Sequence, residues 1–264
     1  MVFCRVAWAA QACRFAANNP QLAIGVHLTL TSEWSDLRWG PVNERGTASL
    51  RDAQGYFYRS THEVEQHAAI DEVRGEIRAQ IERCLRLGLK PAHADNHMGS
   101  LYGIATGRWE LLRTTLEVLA AYGLGFRLPA DIAGIDFGNS MLGIGTEADA
   151  TRAAAAQVVE AAAAARIALP DHLIPGEWGG PQDESFENYR EYLYTLYESL
   201  PEGVTESYLH PVLEADEIKA ACPTWKFRWW EYRIMKDPKT RQHIEAHGIR
   251  LIDYRKLARM RFGE

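Results

Sequence analysis

The sequence has no apolar run of the 18 or more residues that a membrane-spanning helix needs, so we expect no transmembrane segment. It also has no excess of positive charge. The formal net charge of −6 does not favour binding to nucleic acid or to an anionic membrane, which both attract positively charged surfaces. Basic residues interrupt the apolar amino terminus instead of preceding it, which is not the pattern of a signal peptide. We therefore expect a globular protein with neither nucleic acid nor membrane as a partner.

Cysteine is scarce, and its spacing is uninformative. The four residues Cys4, Cys13, Cys84 and Cys222 form no CxxC pair and no pattern typical of a disulfide framework. Free thiols are the ordinary state in a reducing compartment. We expect four free thiols and a cytoplasmic location.

Short apolar runs alternate with segments of helical periodicity along the 264 residues. The runs that predict strands are Leu22–Thr31, Pro91–Asn96, Leu124–Leu128, Asp171–Ile174, Val204–His210 and Arg250–Ile252. The predicted helices are 71–87, 109–122, 147–166 (with Thr146 as N-cap), 187–200, 225–236, 238–247 and 254–260. This alternation predicts an α/β fold with parallel strands, either a barrel or an open sheet. We expect a single domain over residues 1–264, with residues 32–69 as an insertion after a strand.

One predicted strand carries three potential metal ligands at alternate positions. His93, Asp95 and His97 lie in the stretch from Pro91 to Gly99. Alternate side chains of a strand share one face, so these three could converge. His27 and His210 lie in or at the end of two further predicted strands. Functional groups gather beyond the carboxyl ends of strands in parallel β/α folds. These patterns are consistent with a metal-assisted hydrolase, although hydrogen-bonded core histidines would also explain them.

These stretches carry a resemblance to a known family. The motifs G-V-H-L-T-L-T, P-A-H-A-D-N-H-M-G and T-E-S-Y-L-H-P resemble, in order and spacing, those of the YdjC/ChbG-type carbohydrate deacetylases. The likeness continues through T-S-E-W, R-W-G-P, G-F-R-L-P and H-G-I-R-L-I-D-Y, and so covers nearly the whole chain. It implies an irregular TIM-like (β/α) barrel and an enzyme that removes acetyl groups from N-acetylated sugars such as chitooligosaccharides.

The resemblance assigns roles residue by residue. His27 and His97 match the metal-binding histidines, and His93 and Asp95 match the flanking residues of the same motif. Asp95 then orients a metal-bound histidine, an arrangement common around catalytic metals; a strand-end cap is the alternative. His210 matches the histidine that acts as general acid.

Two more positions concern the substrate. Arg127 matches a family arginine near the sugar, although a surface ion pair would explain it equally well. Trp34, one of several aromatic residues in the insertion, could stack on a sugar ring, although core packing explains such residues as often. Two departures, Val212 after His-Pro and Met98–Gly99 after the histidine motif, could alter the shape of the pocket.

The family opens with an Ala-Asp-Asp strand that supplies a metal ligand and the general base. This sequence has no Asp-Asp pair, and its first aspartate is Asp36. Met1 therefore resembles an internal methionine, and we expect the barrel to be incomplete, without its first strand and helix. Catalytic zinc sites normally keep three protein ligands. We expect the 264-residue chain to bind metal weakly and to turn over poorly.

The implied cofactor is a divalent ion, zinc or magnesium, and the implied partner is an N-acetylated sugar. Two alternatives remain: a truncated, inactive relative that at most binds carbohydrate, or a hydrolase of the same barrel acting on another amide or ester. The tryptophans at 225, 229 and 230 could mark a homodimer surface, although the buried face of an amphipathic helix is the favoured interpretation.

Overall fold

The structure is a computed structural model that describes residues 1–2, 8–131 and 148–263, with the side chains of 148–152 and 154 left out of the description. The chain divides into two compact units. Met1–Leu169 and Asp253–Glu264 form the first, and Pro170–Ile252 forms the second. A single domain over the whole chain stays a prediction.

Helices and strands alternate along most of the first unit. Its elements in chain order are α1 (Ala9–Asn18), β1 (Val26–Leu28), α2 (Thr61–His67), α3 (Ile70–Arg86), β2 (His93–Asn96), α4 (Glu110–Tyr122), β3 (Gly125–Phe126) and α5 (Ala148–Ala164). The second unit contains β4 (His172–Leu173), α6 (Phe186–Glu198), β5 (Thr205–Glu206), α7 (Asp216–Ala221), α8 (Trp225–Lys236) and α9 (Pro238–Ala246). The chain then returns to the first unit with α10 (Tyr254–Phe262).

The sheet of the first unit is parallel, in the order β1-β2-β3. Val26 pairs with Ala94 and His27 with Asp95, so the two polar side chains of the second pair are neighbours across the sheet. On the other side of β1, Val2 forms a parallel bridge to Val26. The register alone therefore brings two of the predicted site residues together.

The helices around this sheet follow their sequence signals. In α3 the residues Val73, Ile77, Ile81 and Cys84 are all buried, which is the 3.6-residue period expected of a core-facing helix. Helix α4 ends at Gly123, whose φ of 64° is the left-handed C-cap conformation that glycine adopts readily.

The second unit contains a two-stranded parallel sheet of β4 and β5 and four helices, α6 to α9. Its core contains Tyr189 and Leu193 of α6 with Trp230 and Ile234 of α8. Trp229 packs against this core and Trp230 is buried in it, which confirms the packing interpretation for these two tryptophans. Trp225 lies outside that cluster, with its ring 6.5 Å from the ring of Trp229.

The α/β class is confirmed, but the barrel is not. Within the described ranges the strands form one sheet of three and one of two, and neither closes on itself. The predicted strand at Arg250–Ile252 is wrong, since these residues have no regular structure. The predicted insertion at residues 32–69 contains α2, whose Ser60 and Glu63 form a capping box. The predicted N-cap Thr146 lies outside the described residues.

Of the three cysteines in the described ranges, one differs from expectation. Cys13 and Cys222 are free and buried. Cys84 is disulfide-bonded, so the prediction of four free thiols is wrong at that residue. Across the described parts of the chain, no helix has the length and apolar character to cross a membrane.

Candidate metal and catalytic site

The site in the first unit begins with His27 on β1 and Asp95 on β2. Their pairing across the parallel sheet places His27 Nδ1 2.6 Å from Asp95 Oδ1. An ionised carboxylate only accepts hydrogen bonds, so Nδ1 of His27 must carry the proton. The other ring nitrogen of the neutral imidazole, Nε2, then carries a lone pair and faces away from Asp95.

His97 reaches the same point from the turn that follows β2. The chain leaves β2 in a single 3₁₀ turn, His97–Gly99, in which Met98 has a φ of 54°. This turn brings His97 Nδ1 to 3.2 Å from His27 Nε2. The two rings lie edge to face, with centroids 5.2 Å apart.

Glu33 holds the far side of the His97 ring. Its carboxylate oxygens lie 3.1 and 2.9 Å from His97 Nε2, which therefore donates. Sequence reasoning did not select Glu33 as a site residue. The T-S-E-W stretch carries the available signal, since it resembles the family there, but the resemblance gives its glutamate no role.

The two histidines thus point their proton-free nitrogens at each other. With both rings neutral, Nε2 of His27 and Nδ1 of His97 are two lone pairs 3.2 Å apart. Such an approach needs a bound proton or a cation. Two ligand atoms at roughly 2.0–2.1 Å from a tetrahedral zinc ion are about 3.3 Å apart, so the pair fits two corners of such a site. Among the described residues, no third His, Cys, Asp or Glu donor completes a three-ligand group with this pair.

Asp95 is almost fully buried and is held from two sides. Besides His27, it forms an ion pair with Nη1 of Arg127, whose side chain is 15% exposed. Burial by itself raises the pKa of Asp95, but His27 and Arg127 more than offset that effect, so its pKa lies below the usual value. Asp95 therefore stays ionised and keeps His27 in one tautomer. Contact of Arg127 with a sugar stays a prediction.

His93 occupies a different environment from the other two histidines. It is 8% exposed, and its ring stacks on Tyr254 with centroids 4.1 Å apart. Burial lowers the pKa of His93 to about 4, and its Nδ1 has no hydrogen-bond partner among the described residues. The neutral His93 ring therefore packs in the interior beside β2 and has a structural role next to the site.

Two tryptophans lie beside the histidine pair. The ring of Trp39 is 6.1 Å from the ring of His97. Trp34 packs edge to face on Trp39 at 6.0 Å and is half-buried. Trp39, and not the predicted Trp34, is therefore the tryptophan whose ring lies beside His97. Sugar stacking by Trp34 stays a prediction.

His210 belongs to the second unit, where a buried carboxylate holds its backbone. Its N–H donates to Glu231 Oε2 at 2.6 Å. The other oxygen, Oε1, accepts from the hydroxyl of Tyr189 at 2.9 Å and from Nε1 of Trp178 at 3.1 Å. Burial raises the pKa of Glu231, while these three donors work against that rise.

The rings of Trp178 and Tyr208 lie 5.6 and 5.7 Å from the ring of His210. The histidine therefore stands in an aromatic setting on a backbone fixed by Glu231. The function of His210 as a general acid stays a prediction.

The most informative comparisons agree on one family. A carbohydrate deacetylase from Thermus thermophilus is 28% identical over 227 residues, which cover 86% of this chain and 75% of the relative. A carbohydrate deacetylase from Thermoanaerobacter pseudethanolicus is 24% identical over 254 residues, or 96% of this chain and 85% of the relative.

A solved structure shares the fold. The crystal structure of a candidate cellobiose-phosphate cleavage protein from Enterococcus faecalis superposes with a TM-score of 0.69 at 24% identity, covering 97% of this chain and 85% of the other. The family described as YdjC-like protein matches residues 1–246. The chain therefore belongs to the YdjC-like protein family.

Proposed function

We propose that this chain removes acetyl groups from N-acetylated sugars or oligosaccharides with the help of a divalent metal ion. The names of the relatives support the reaction class, since both are carbohydrate deacetylases. The main support for a bound metal is the His27–His97 pair. One ring nitrogen of each histidine faces the other histidine, and a carboxylate accepts a hydrogen bond from the remaining nitrogen of each ring.

His27 Nε2 and His97 Nδ1 would hold the ion. Two imidazoles favour zinc, although magnesium also belongs to the proposal. When bound, the ion would supply Lewis-acid polarisation of the acetamide carbonyl and a water of lowered pKa. Asp95 and Glu33 would fix the two rings, because each accepts a hydrogen bond from the ring nitrogen that faces away from the ion.

The reaction consumes one water per acetyl group. The water oxygen bonds to the acetyl carbon, the carbon–nitrogen bond breaks, and the products are acetate and the free sugar amine. The leaving nitrogen must take up a proton, and we assign this donation to His210. Histidine suits the step because its ordinary pKa lies near neutral pH. The hydrogen bond from its backbone N–H to the buried Glu231 supports a fixed backbone position for this histidine.

The 264-residue chain is proposed to be a slow catalyst. It contains no Asp-Asp pair, which the resemblance implies as the source of a third ligand and of the general base. General acid–base catalysis typically contributes on the order of 10²–10⁴ in rate. We therefore expect acetate release well below that of a relative that has both aspartates.

Acetate release from a chitooligosaccharide tests the proposal. The wild-type chain with added Zn²⁺ should release acetate above a protein-free blank, and the release should fall to the blank after chelation or in His27→Ala. Glu44→Gln, an exposed change in the same unit, serves as the control variant and should leave the rate unchanged. Acetate release that survives chelation would contradict a metal-dependent reaction.

A sugar-binding protein without catalysis is the second candidate. The donor set favours it, because the described residues supply only two ligands at His27 and His97, whereas catalytic zinc sites normally use three protein ligands. It predicts saturable binding of the oligosaccharide together with no acetate above the blank. A panel of other amides and esters would test the third alternative, a hydrolase with a different substrate.

Location and assembly are also proposals. We propose a cytoplasmic protein, supported by the free thiols of Cys13 and Cys222, whereas the disulfide at Cys84 is a feature more typical of oxidising compartments. We propose a homodimer, for which Trp225, outside the core cluster of its unit, is a contact candidate. Cell fractionation and light scattering of the purified chain would test the two.

A further inference from the structure

A second group of potential metal ligands lies in the second unit and uses none of the residues assigned above. Glu198, His243 and His247 present one carboxylate oxygen and two imidazole nitrogens that all lie within 4.8 Å of one another. Glu198 is the last residue of α6, His243 lies on α9, and His247 immediately follows α9. We propose that these three residues form a zinc-binding site that ties the end of α6 to the end of α9.

The distances match metal coordination. Glu198 Oε1 lies 3.3 Å from His243 Nε2 and 3.6 Å from His247 Nε2. Ligand atoms roughly 2.0–2.1 Å from a tetrahedral zinc ion are separated by about 3.3 Å. One carboxylate oxygen therefore faces two ring nitrogens at separations close to the edges of a zinc tetrahedron.

The tautomer of His247 is set for binding. Its Nδ1 lies 2.8 Å from the backbone carbonyl oxygen of His243, which only accepts, so Nδ1 carries the proton. In the neutral ring, Nε2 then holds the lone pair, and this is the nitrogen that faces Glu198. A backbone carbonyl that fixes the far nitrogen is a common partner of metal-bound histidines.

His243 is held by packing instead. Its ring stacks on Tyr194 of α6 with centroids 4.0 Å apart, and its side chain is 16% exposed. Its buried Nε2 has no hydrogen-bond partner among the described residues, although Glu198 Oε1 is only 3.3 Å away. A well-aligned histidine–glutamate hydrogen bond therefore does not explain the approach, whereas a shared ion would.

The donor set and spacing specify the class of metal. Two histidines four residues apart lie on one face of a helix, and a glutamate completes a two-histidine, one-carboxylate set typical of zinc. Ni²⁺ and Cu²⁺ could also bind such nitrogen-rich ligands. The side chains of Glu198 and His247 are 45% and 42% exposed, so an ion can enter from solvent and keep a water as its fourth ligand.

Zinc titration of the metal-stripped full chain tests the site. His247→Ala and Glu198→Gln are the test variants, because both residues are exposed and their loss leaves the stacked His243 in place. Glu245→Gln is the matched control for the lost carboxylate, since Glu245 lies on α9, as His243 does, and pairs with Arg241. His62→Ala, an exposed histidine of the other unit, is the control for the lost imidazole.

The wild-type chain should bind one Zn²⁺ equivalent more than either test variant, or bind it at least tenfold more tightly, and both controls should match the wild type. Zn²⁺ should also raise the unfolding temperature of the wild type more than that of His247→Ala. The tetrahedral visible band of the Co²⁺-loaded chain should be weaker in His247→Ala than in the wild type. Equal stoichiometry and equal affinity in the wild type and both test variants would overturn the proposal.

Discussion

His27 and His97 face each other through Nε2 and Nδ1, 3.2 Å apart, while Asp95 and Glu33 accept from their outer nitrogens. Each carboxylate keeps the proton of its histidine on the nitrogen that faces the carboxylate, which is Nδ1 of His27 and Nε2 of His97. The inner nitrogens are left with lone pairs that repel unless a cation or an extra proton lies between them. This geometry links the sheet register at His27 and Asp95 to the proposed metal chemistry.

Replacing Glu33 by glutamine should weaken metal binding without unfolding the chain. A glutamine oxygen can still accept from His97 Nε2, but the charge that strengthens the ligand is lost. Changes to such outer partners typically cost about 10–100-fold in metal affinity. Zn²⁺ titration of Glu33→Gln beside the exposed control Glu44→Gln measures the difference. An affinity equal to that of the control would show that Glu33 does not support the site.

Stability should fall on acidification because of His93. Its folded pKa of about 4 lies below the unfolded value near 6.5, so the unfolded chain takes up a proton first as the pH falls. The contribution of the neutral His93 ring to the free energy of unfolding is complete above pH 6.5 and is lost as the pH falls from about 6.5 to about 4. It amounts to at most about 3 kcal/mol.

The variant His93→Phe keeps an aromatic ring on Tyr254 and removes the titration. Its free energy of unfolding, from urea denaturation at several pH values, should change less between pH 6.5 and 4 than that of the wild type. The same slope in both proteins would mean that other groups cause the loss.

Gly25 should not tolerate a side chain. A Cβ at this position would lie 2.6 Å from the carbonyl oxygen and 2.8 Å from Cε1 of His93. Overpacking of this kind costs about 1–3 kcal/mol. Gly75→Ala is the matched control, because its Cβ meets nothing closer than 3.4 Å and alanine favours the helix. Thermal unfolding should show a clear loss for Gly25→Ala and none for Gly75→Ala.

Glu231→Gln should destabilise the second unit and displace His210. The carboxylate accepts from Tyr189, Trp178 and the backbone of His210, and an amide cannot accept at both of its terminal atoms. A buried donor left without a partner costs about 1–3 kcal/mol. Urea denaturation measures this cost against Glu191→Gln, an exposed change on α6. Equal midpoints would argue against Glu231 as the support of His210.

The sequence was most informative where periodicity and caps act locally. The helix predicted over 225–236 has those bounds in the structure, and α3 and α4 begin and end within one residue of prediction. Strand lengths were overestimated, since the strand within Leu22–Thr31 is only Val26–Leu28. The pairing partners of a strand lie far along the chain, so apolar composition alone does not limit its length.

The candidate site was also predictable from the sequence only in part. Alternation along β2 and the family resemblance selected His27, Asp95 and His97, which the structure brings together. Glu33 was missed because its contact with His97 spans 64 residues and depends on the path of the chain after β1. The zinc ligands proposed in the second unit were missed for a similar reason: α6 and α9 meet only through tertiary packing.

The most direct test of the proposed metal centre is Zn²⁺ titration in a His247→Ala background, where the site of the second unit is removed. We predict that this chain still binds one Zn²⁺ and that adding His27→Ala abolishes the binding. Undiminished Zn²⁺ affinity after the loss of His27 would contradict a metal held between His27 and His97.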